Sequence, residues 1–201
     1  MVRKAKPQPK PAAADVLDRL ESHEAAAVLR TLLQRHPDLR VEAREIATAT
    51  MTKVDVEALA DEVESEVSGV SEESFEGRAG SHSWGYTSPG DAVSELLEEA
   101  LEPFLTDMKR LVQLGHDAAA LATCQGIVRG LYQVESRKSR DGVLEYAPDF
   151  PGEAARNAVD ELLEESRKKH GHRWQPPDSF FEETPAKWES WIREAAAARR
   201  R

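Results

Sequence analysis

The chain has 201 residues, of which 32% are charged and 40% are hydrophobic, and its formal net charge is −10. This length allows a sizeable core without disulfides, and the hydrophobic content excludes a wholly disordered chain. The acidic balance argues against broad contact with nucleic acid or anionic membranes, because phosphate contacts need clustered Lys and Arg.

Basic residues are concentrated at the two termini. Residues 1–12 contain four Lys or Arg residues and three prolines, and residues 199–201 are all Arg. Without these seven cations the rest of the chain has a formal charge of −17. The composition predicts a disordered basic tail over residues 1–12, and only the termini are suited to phosphate.

Helical periodicity organises residues 13–170 around a loop at 71–89. A short element near residues 16–20 precedes a helix capped by Ser22, which Pro37 ends. A third helix covers about 39–50, and Thr52 opens a fourth that runs to about residue 70. The short connections predict antiparallel helical hairpins.

The clearest pattern is a long amphipathic helix between Ser88 and Gly115. Ser88 is a typical N-cap, Pro89 suits the first helical position, and Gly115 suits a helix end. Pro103 lies inside this segment and predicts a bend, because it cannot donate to a carbonyl one turn earlier. Glutamates occupy the face opposite the apolar stripe.

The next predicted helix, residues 118–134, carries small side chains on one face. Ala119, Thr123, Gly126 and Gly130 recur at helical spacing. Two glycines cost about 1 kcal/mol each in a helix, so the pattern predicts that a neighbouring backbone approaches closely.

The single cysteine, Cys124, lies in the apolar pattern of this helix and predicts a buried structural thiol. One cysteine cannot form an intramolecular disulfide, which fits a reducing compartment. No apolar run approaches a membrane span, and no signal-peptide pattern follows the basic start. We therefore expect a soluble, cytoplasmic protein without a membrane partner.

The C-terminal third adds two more helices. Only residues 143–146 suggest a strand, and a loop is favoured there. Pro151 opens a helix, a hinge follows at residues 171–177, and a last helix begins near Thr184. The predicted organisation is a tail at 1–12, a helical domain at 13–170, and a hinge with a C-terminal capping helix at 171–201. The predicted fold is all-α, with antiparallel hairpins in a solenoid-like or irregular bundle.

The turn before the helix that runs to Tyr132 resembles the turn of a tetratricopeptide unit. The residues that carry this resemblance are Leu114, Gly115 and Ala120. No second copy is visible at a period of about 34 residues, so the wider resemblance is to helical-hairpin proteins such as HEAT and tetratricopeptide repeats. The phrases LLQRHPDLRVEAREIA and EYAPDFPGEAA also resemble segments of uncharacterised bacterial helical proteins. The resemblance implies a fold and assigns no catalytic residue.

Histidine spacing gives little indication of a metal site. His170 and His172 are interpreted as solvated loop residues, while His23 and His36 lack any CxxC or HExxH companion. The sequence therefore predicts no metal and no cofactor.

Two pairs of carboxylates have the helical i, i+4 spacing, namely Glu98 with Glu102 and Glu161 with Glu165. A catalytic acid needs burial, and these residues lie off the apolar stripe, so we interpret them as solvated helix faces. GxSxG, GxxxxGK[ST] and GxGxxG motifs are also missing, and we expect a protein that is not an enzyme.

The glycine-rich loop carries the first candidate partner-binding residues, which are Arg78, His82, Trp84 and Tyr86. Long loops with aromatic residues often bind partners. Alternatively, Trp84 and Tyr86 fold back to cover a gap between helical layers.

Trp188 and Trp191 in the last helix are the second candidates. Together with Ile192 they form a face that either seals the last hairpin or anchors a partner, since Trp dominates interface hot spots.

The leading functional hypothesis is a scaffold or adaptor whose stacked hairpins present a groove to a protein or peptide. Acidic walls favour a basic ligand. One alternative is a nucleic-acid-associated regulatory protein that uses its basic termini. Another is an enzyme with a site in the loop at residues 77–90. The sequence identifies neither the partner nor the oligomeric state.

Overall fold

A computed structural model describes residues 16–71, 73, 78–83, 85–137 and 142–198. Helices account for about 80% of these residues, which confirms the all-α prediction. The chain divides into two compact units, Met1–Ala49 and Thr50–Arg201. The predicted basic tail and the C-terminal arginines lie outside the described residues.

The first unit contains a short 3₁₀ turn, Val16–Arg19, and helix α1, Ser22–Arg35. A second 3₁₀ turn, Pro37–Leu39, leads into helix α2, Arg40–Thr52, so the predicted stop at Pro37 is confirmed. The predicted Ser22 cap is wrong, because Ser22 is already helical and Glu21 occupies the N-cap position. A capping box explains this difference: the Glu21 backbone N–H donates to Glu24 Oε2 at 3.0 Å.

Helix α3, Val56–Gly69, is the first helix that lies entirely within the second unit. Its N-cap is Asp55, whose side chain accepts a hydrogen bond of 3.1 Å from the Ala58 backbone N–H. The predicted Thr52 cap is therefore wrong, since Thr52 is the last residue of α2. Both residue types cap helices well, and the position of the α2–α3 break decides between them.

The segment predicted as a loop contains a small antiparallel hairpin. Strand β1, Gly80–His82, pairs with strand β2, Gly85–Thr87. Gly80 and Gly85 have φ values of +113° and +145°, which favour glycine. The segment considered as a strand, residues 143–146, instead overlaps a 3₁₀ turn, Gly142–Glu145. Three-residue strands are too short to display an alternating pattern, which explains why the sequence did not reveal them.

Helix α4, Pro89–Leu114, forms as predicted. Ser88 Oγ accepts a hydrogen bond of 3.1 Å from the Asp91 backbone N–H. Gly115 ends the helix with φ +88°, and its N–H donates to the Val112 carbonyl at 3.0 Å. The helix continues through Pro103, and the bend expected there stays a prediction.

Helix α5, Asp117–Ser136, packs its small-residue face against α3. A Cβ atom added at Gly126 would lie 2.7 Å from Leu59 Cδ2, and one at Gly130 would lie 2.5 Å from the Ala60 carbonyl oxygen. Both distances are too short for a real contact, so the predicted close approach is confirmed.

Helix α6, Phe150–His170, packs against both α4 and α5. Two further helices follow, α7, Asp178–Glu182, and α8, Ala186–Ala198, with α8 against α6. Buried Arg167 of α6 links this helix to α8, since its Nη2 donates to the Ala196 carbonyl at 3.0 Å. The largest fully buried side chains in the described residues are Phe180, Leu97, Met108, Ile127, Leu131, Leu162, Leu163 and Ile192, with four valines. None of the helices in the described part of the chain has the length and apolar character needed to span a membrane.

Candidate functional site

A groove between α4 and α6 contains a cavity of about 380 Å³. Its floor is formed where the apolar stripes of the two helices meet. Leu101 and Leu105 come from α4, and Phe150 and Ala154 come from the first two turns of α6. The floor therefore results directly from the amphipathic pattern of both helices.

Carboxylates form both walls of this groove. Six of the twelve lining residues are acidic: Glu98 and Glu102 on α4, with Glu153, Asp160, Glu161 and Glu164 on α6. Because helical residues three and four positions apart share a face, each helix presents its acids along one side of the floor. We call this surface the acidic groove.

Two lysines offset part of this charge. Lys109 Nζ lies 3.2 Å from Glu161 Oε2 and 4.0 Å from Glu102 Oε1, so it connects the two walls. Glu161 Oε2 is buried and has no hydrogen bond within the described residues, so this ion pair is its main source of stabilisation. Lys168 lies 2.8 Å from Glu164 on the same helix. Two lysines against six carboxylates leave the groove strongly negative.

Glu161 also influences the interior of the unit. Cys124 on α5 is fully buried, and burial, followed by the negative charge of Glu161, raises the pKa of its thiol. The thiol is therefore protonated and a poor nucleophile, as expected of the structural cysteine that the sequence predicts.

The acidic surface continues around α4 to the side that holds the hairpin. Glu95 and Glu99 lie beside Glu98 and Glu102 in an open depression. Arg78 donates two hydrogen bonds to Glu99, of 2.7 and 3.0 Å. The pairing raises the pKa of Arg78 and lowers that of Glu99, mainly through these hydrogen bonds.

The sequence-predicted loop residues therefore have different environments. Arg78 is paired with Glu99 on α4 and keeps 40% of its side chain exposed, while the Tyr86 side chain in β2 is 71% exposed. The His82 side chain and Trp84 lie outside the described residues. Of the two described side chains, that of Tyr86 is the more exposed.

Trp188 and Trp191 lie beside the N-terminal end of α6. Trp188 is only 3% exposed and packs edge-on against Tyr132, with ring centroids 5.2 Å apart. Trp191 is half-buried, and its ring centroid is 5.7 Å from that of Trp188. Both rings line a shallow pocket that includes Glu153, which also lines the acidic groove. This pocket therefore adjoins the groove.

The histidines do not assemble a metal centre in the described part of the chain, where no group of three potential His, Cys, Asp or Glu ligands is found. That the protein binds no metal or cofactor stays a prediction. The interpretation of His170 as a loop residue is wrong: it is the last residue of α6, and its Nε2 lies 3.0 Å from Asp117 Oδ2.

Glu98 and Glu102 are exposed, as the sequence predicts, but the interpretation of Glu161 and Glu165 as solvated is only partly right, because Glu161 Oε2 is buried and the Glu165 side chain is 20% exposed. The sequence also did not bring the groove acids together. Glu98, Glu102 and Glu161 line one groove, whereas Glu165 forms an ion pair of 2.8 Å with Lys168. The contact between α4 and α6 brings together residues about fifty positions apart. The hydrophobic periodicity within either helix does not predict which other helix it contacts. The signal available was the presence of a regular acidic edge on each of two long amphipathic helices.

Comparison of the chain with protein-family models, with curated proteins and with solved structures finds no match. The geometry of the acidic groove is therefore the main guide to function.

Proposed function

We propose that this protein is an interaction module that binds a basic, partly apolar peptide segment of a partner protein in the acidic groove. The observation that carries the proposal is the combination of six carboxylates with an apolar floor in a single cavity. Ligand sites typically combine an apolar surface with a few polar groups that fix orientation. Here the floor accepts an apolar anchor, and the walls select Lys or Arg beside it.

The dimensions of the groove suit a short segment. The lining residues on α6 run from Phe150 to Glu164, a helical length of about 21 Å. An amphipathic helix of about 14 residues has the same length, and helix-in-groove binding uses apolar anchors at i, i+3, i+4 and i+7. Opposite charges on the flanks increase the association rate and exclude acidic competitors.

The protein's wider role and location follow from the same features. The helical packing and the resemblance of the α4–α5 turn support a scaffold or adaptor related to helical-hairpin repeat proteins. The single buried cysteine supports a reducing, cytoplasmic location.

Binding of labelled probe peptides tests the proposal. The probe is a peptide of about 14 residues with Leu at i, i+3, i+4 and i+7 and Arg at the flanking positions. A second peptide carries Glu in place of every Arg. Fluorescence anisotropy should show binding of the basic probe alone, and the affinity should fall as salt is added, because salt screens exposed charges.

Charge-reversal variants locate the binding site. Glu98→Lys together with Glu153→Lys places one cation on each wall and should raise the Kd of the basic probe about tenfold or more. Glu42→Lys together with Glu66→Lys changes the net charge by the same amount at exposed positions outside the groove. Equal weakening by both double variants, or no binding of the basic probe, would contradict the proposal.

The two alternative functions stay hypotheses. Nucleic-acid binding would depend on the basic termini, which lie outside the described residues. An enzyme site at residues 77–90 would need reactive groups there, and the Arg78 guanidinium is already bound to Glu99.

A further inference from the structure

Helix α1 in the first compact unit has an apolar stripe that is open to solvent. Val28, Leu29 and Leu32 are 45%, 50% and 43% exposed, and Ala25 lies one turn before Leu29. All residues of α1 are described, and none of them is buried. A helix of 14 residues is marginal in water unless an amphipathic face packs against something. The stripe therefore needs a partner.

The charges of α1 are arranged asymmetrically along its length. Glu24 lies in the first turn, and Arg35 is the last residue of the helix. At 100° per residue, these two side chains differ by only about 20° around the axis, so they flank the same edge of the stripe. Their midpoint falls between residues 29 and 30, close to the centre of the apolar set.

We propose that α1 packs antiparallel against α1 of a second copy of this chain, which makes the protein a homodimer. A two-fold axis normal to the plane of two antiparallel helices places the same edge of each helix against the other. Glu24 of each copy then faces Arg35 of the other while the two apolar stripes meet. The stripe complements itself in both charge and hydrophobicity.

The parallel arrangement lacks this complementarity. A two-fold axis along the helices sets the Glu24 edge against the opposite edge, which carries Ser22, Ala26 and Leu33. Flanking charges set the orientation of paired helices, so the antiparallel dimer is favoured.

Sedimentation equilibrium on the full chain tests the oligomeric state. The wild-type chain should be a dimer at micromolar concentration. Leu29→Glu places an unpaired carboxylate in the apolar stripe and should raise the dimer Kd about a hundredfold or more. The matched control is Leu114→Glu at the end of α4, where the leucine is 51% exposed, and this variant should stay dimeric.

Charge exchange tests the pairing. Arg35→Glu and Glu24→Arg should each weaken the dimer about tenfold, since each replaces two attractions by two repulsions. Glu24→Arg also removes the acceptor of the capping box, and mixing the variants separates the two effects, because only the interface charges are restored in the mixture. An equimolar mixture of these two variants should dimerise again, because both Glu–Arg pairs re-form across the interface.

Cross-linking fixes the orientation. Glu24→Cys and Arg35→Cys chains, mixed and treated with a short bismaleimide, should form a mixed cross-linked dimer, while the buried Cys124 stays unmodified. A monomeric wild-type chain, a dimer unaffected by Leu29→Glu, or preferential cross-linking of Glu24→Cys chains to each other would overturn the proposal.

Discussion

Gly126 and Gly130 leave space on one face of α5, and side-chain and backbone atoms of α3 fill that space. The same two glycines belong to the small-residue face that is visible in the sequence. The close approach of a neighbouring helix could be predicted, because glycines are costly inside a helix and are tolerated there mainly where a neighbour needs the space. The identity of the neighbour could not be predicted, since any helix would satisfy that requirement.

A pair of alanine substitutions separates a glycine needed for packing from one that is not. Gly126→Ala puts a Cβ atom 2.7 Å from Leu59 Cδ2 and should lower the free energy of unfolding by about 1–3 kcal/mol. The Cβ atom added by Gly152→Ala in α6 has no other atom within 4 Å. This variant should raise the free energy of unfolding by about 0.5–1 kcal/mol, because alanine has the higher helix propensity. Urea titrations of both variants measure these changes. A stabilised Gly126→Ala protein would show that the α3–α5 contact is looser than described.

At the scale of elements, local signals set the ends of helices more reliably than they set the conformation of connections. Ser88 and Gly115 bound α4 as predicted because their roles depend on neighbours within one turn. The β-hairpin was missed because its strands are short and its stabilising contact is distant. Arg78 and Glu99 are 21 residues apart, and no pattern in either segment links them.

The Arg78–Glu99 ion pair should give the hairpin a pH-dependent stability. The pKa of Glu99 is lowered in the folded protein, so its contribution is fully present above the pKa of the unfolded chain and is lost as pH falls through the folded value. We expect Arg78→Met to speed amide hydrogen exchange in β1 and β2 at neutral pH.

Because protonated Glu99 no longer attracts the guanidinium, the difference between wild type and Arg78→Met should disappear in acid. High salt should also reduce the difference, since both side chains are exposed. Lys187→Met breaks an ion pair with Glu135 elsewhere in the second unit and serves as the control, which should leave hairpin exchange unchanged. Hairpin exchange that is insensitive to Arg78→Met at every pH would contradict this role.

For the whole molecule, the sequence predicts the fold class and the order of most helices, but the pairing of helices only in part. Each amphipathic stripe indicates that its helix packs against another element, and short connections suggest that neighbouring helices are antiparallel. The contact of α4 with α6 crosses an entire intervening helix, so the acidic groove could not be derived from the chain alone. The division after Ala49 was likewise hidden, because α2 runs through it without a break.

The distribution of buried residues predicts how the chain behaves when it is divided. Among the described residues, every buried side chain belongs to the second compact unit, from Ala60 to Ala196. A fragment of residues 50–201 should therefore unfold cooperatively and give a dispersed amide spectrum, because it contains this complete core. A fragment of residues 1–49 should be weakly helical at concentrations below the Kd of the proposed α1 dimer, since it lacks buried side chains in its described part. Circular dichroism and calorimetry on both fragments test this, and a non-cooperative 50–201 fragment would show that its core is insufficient without the first unit.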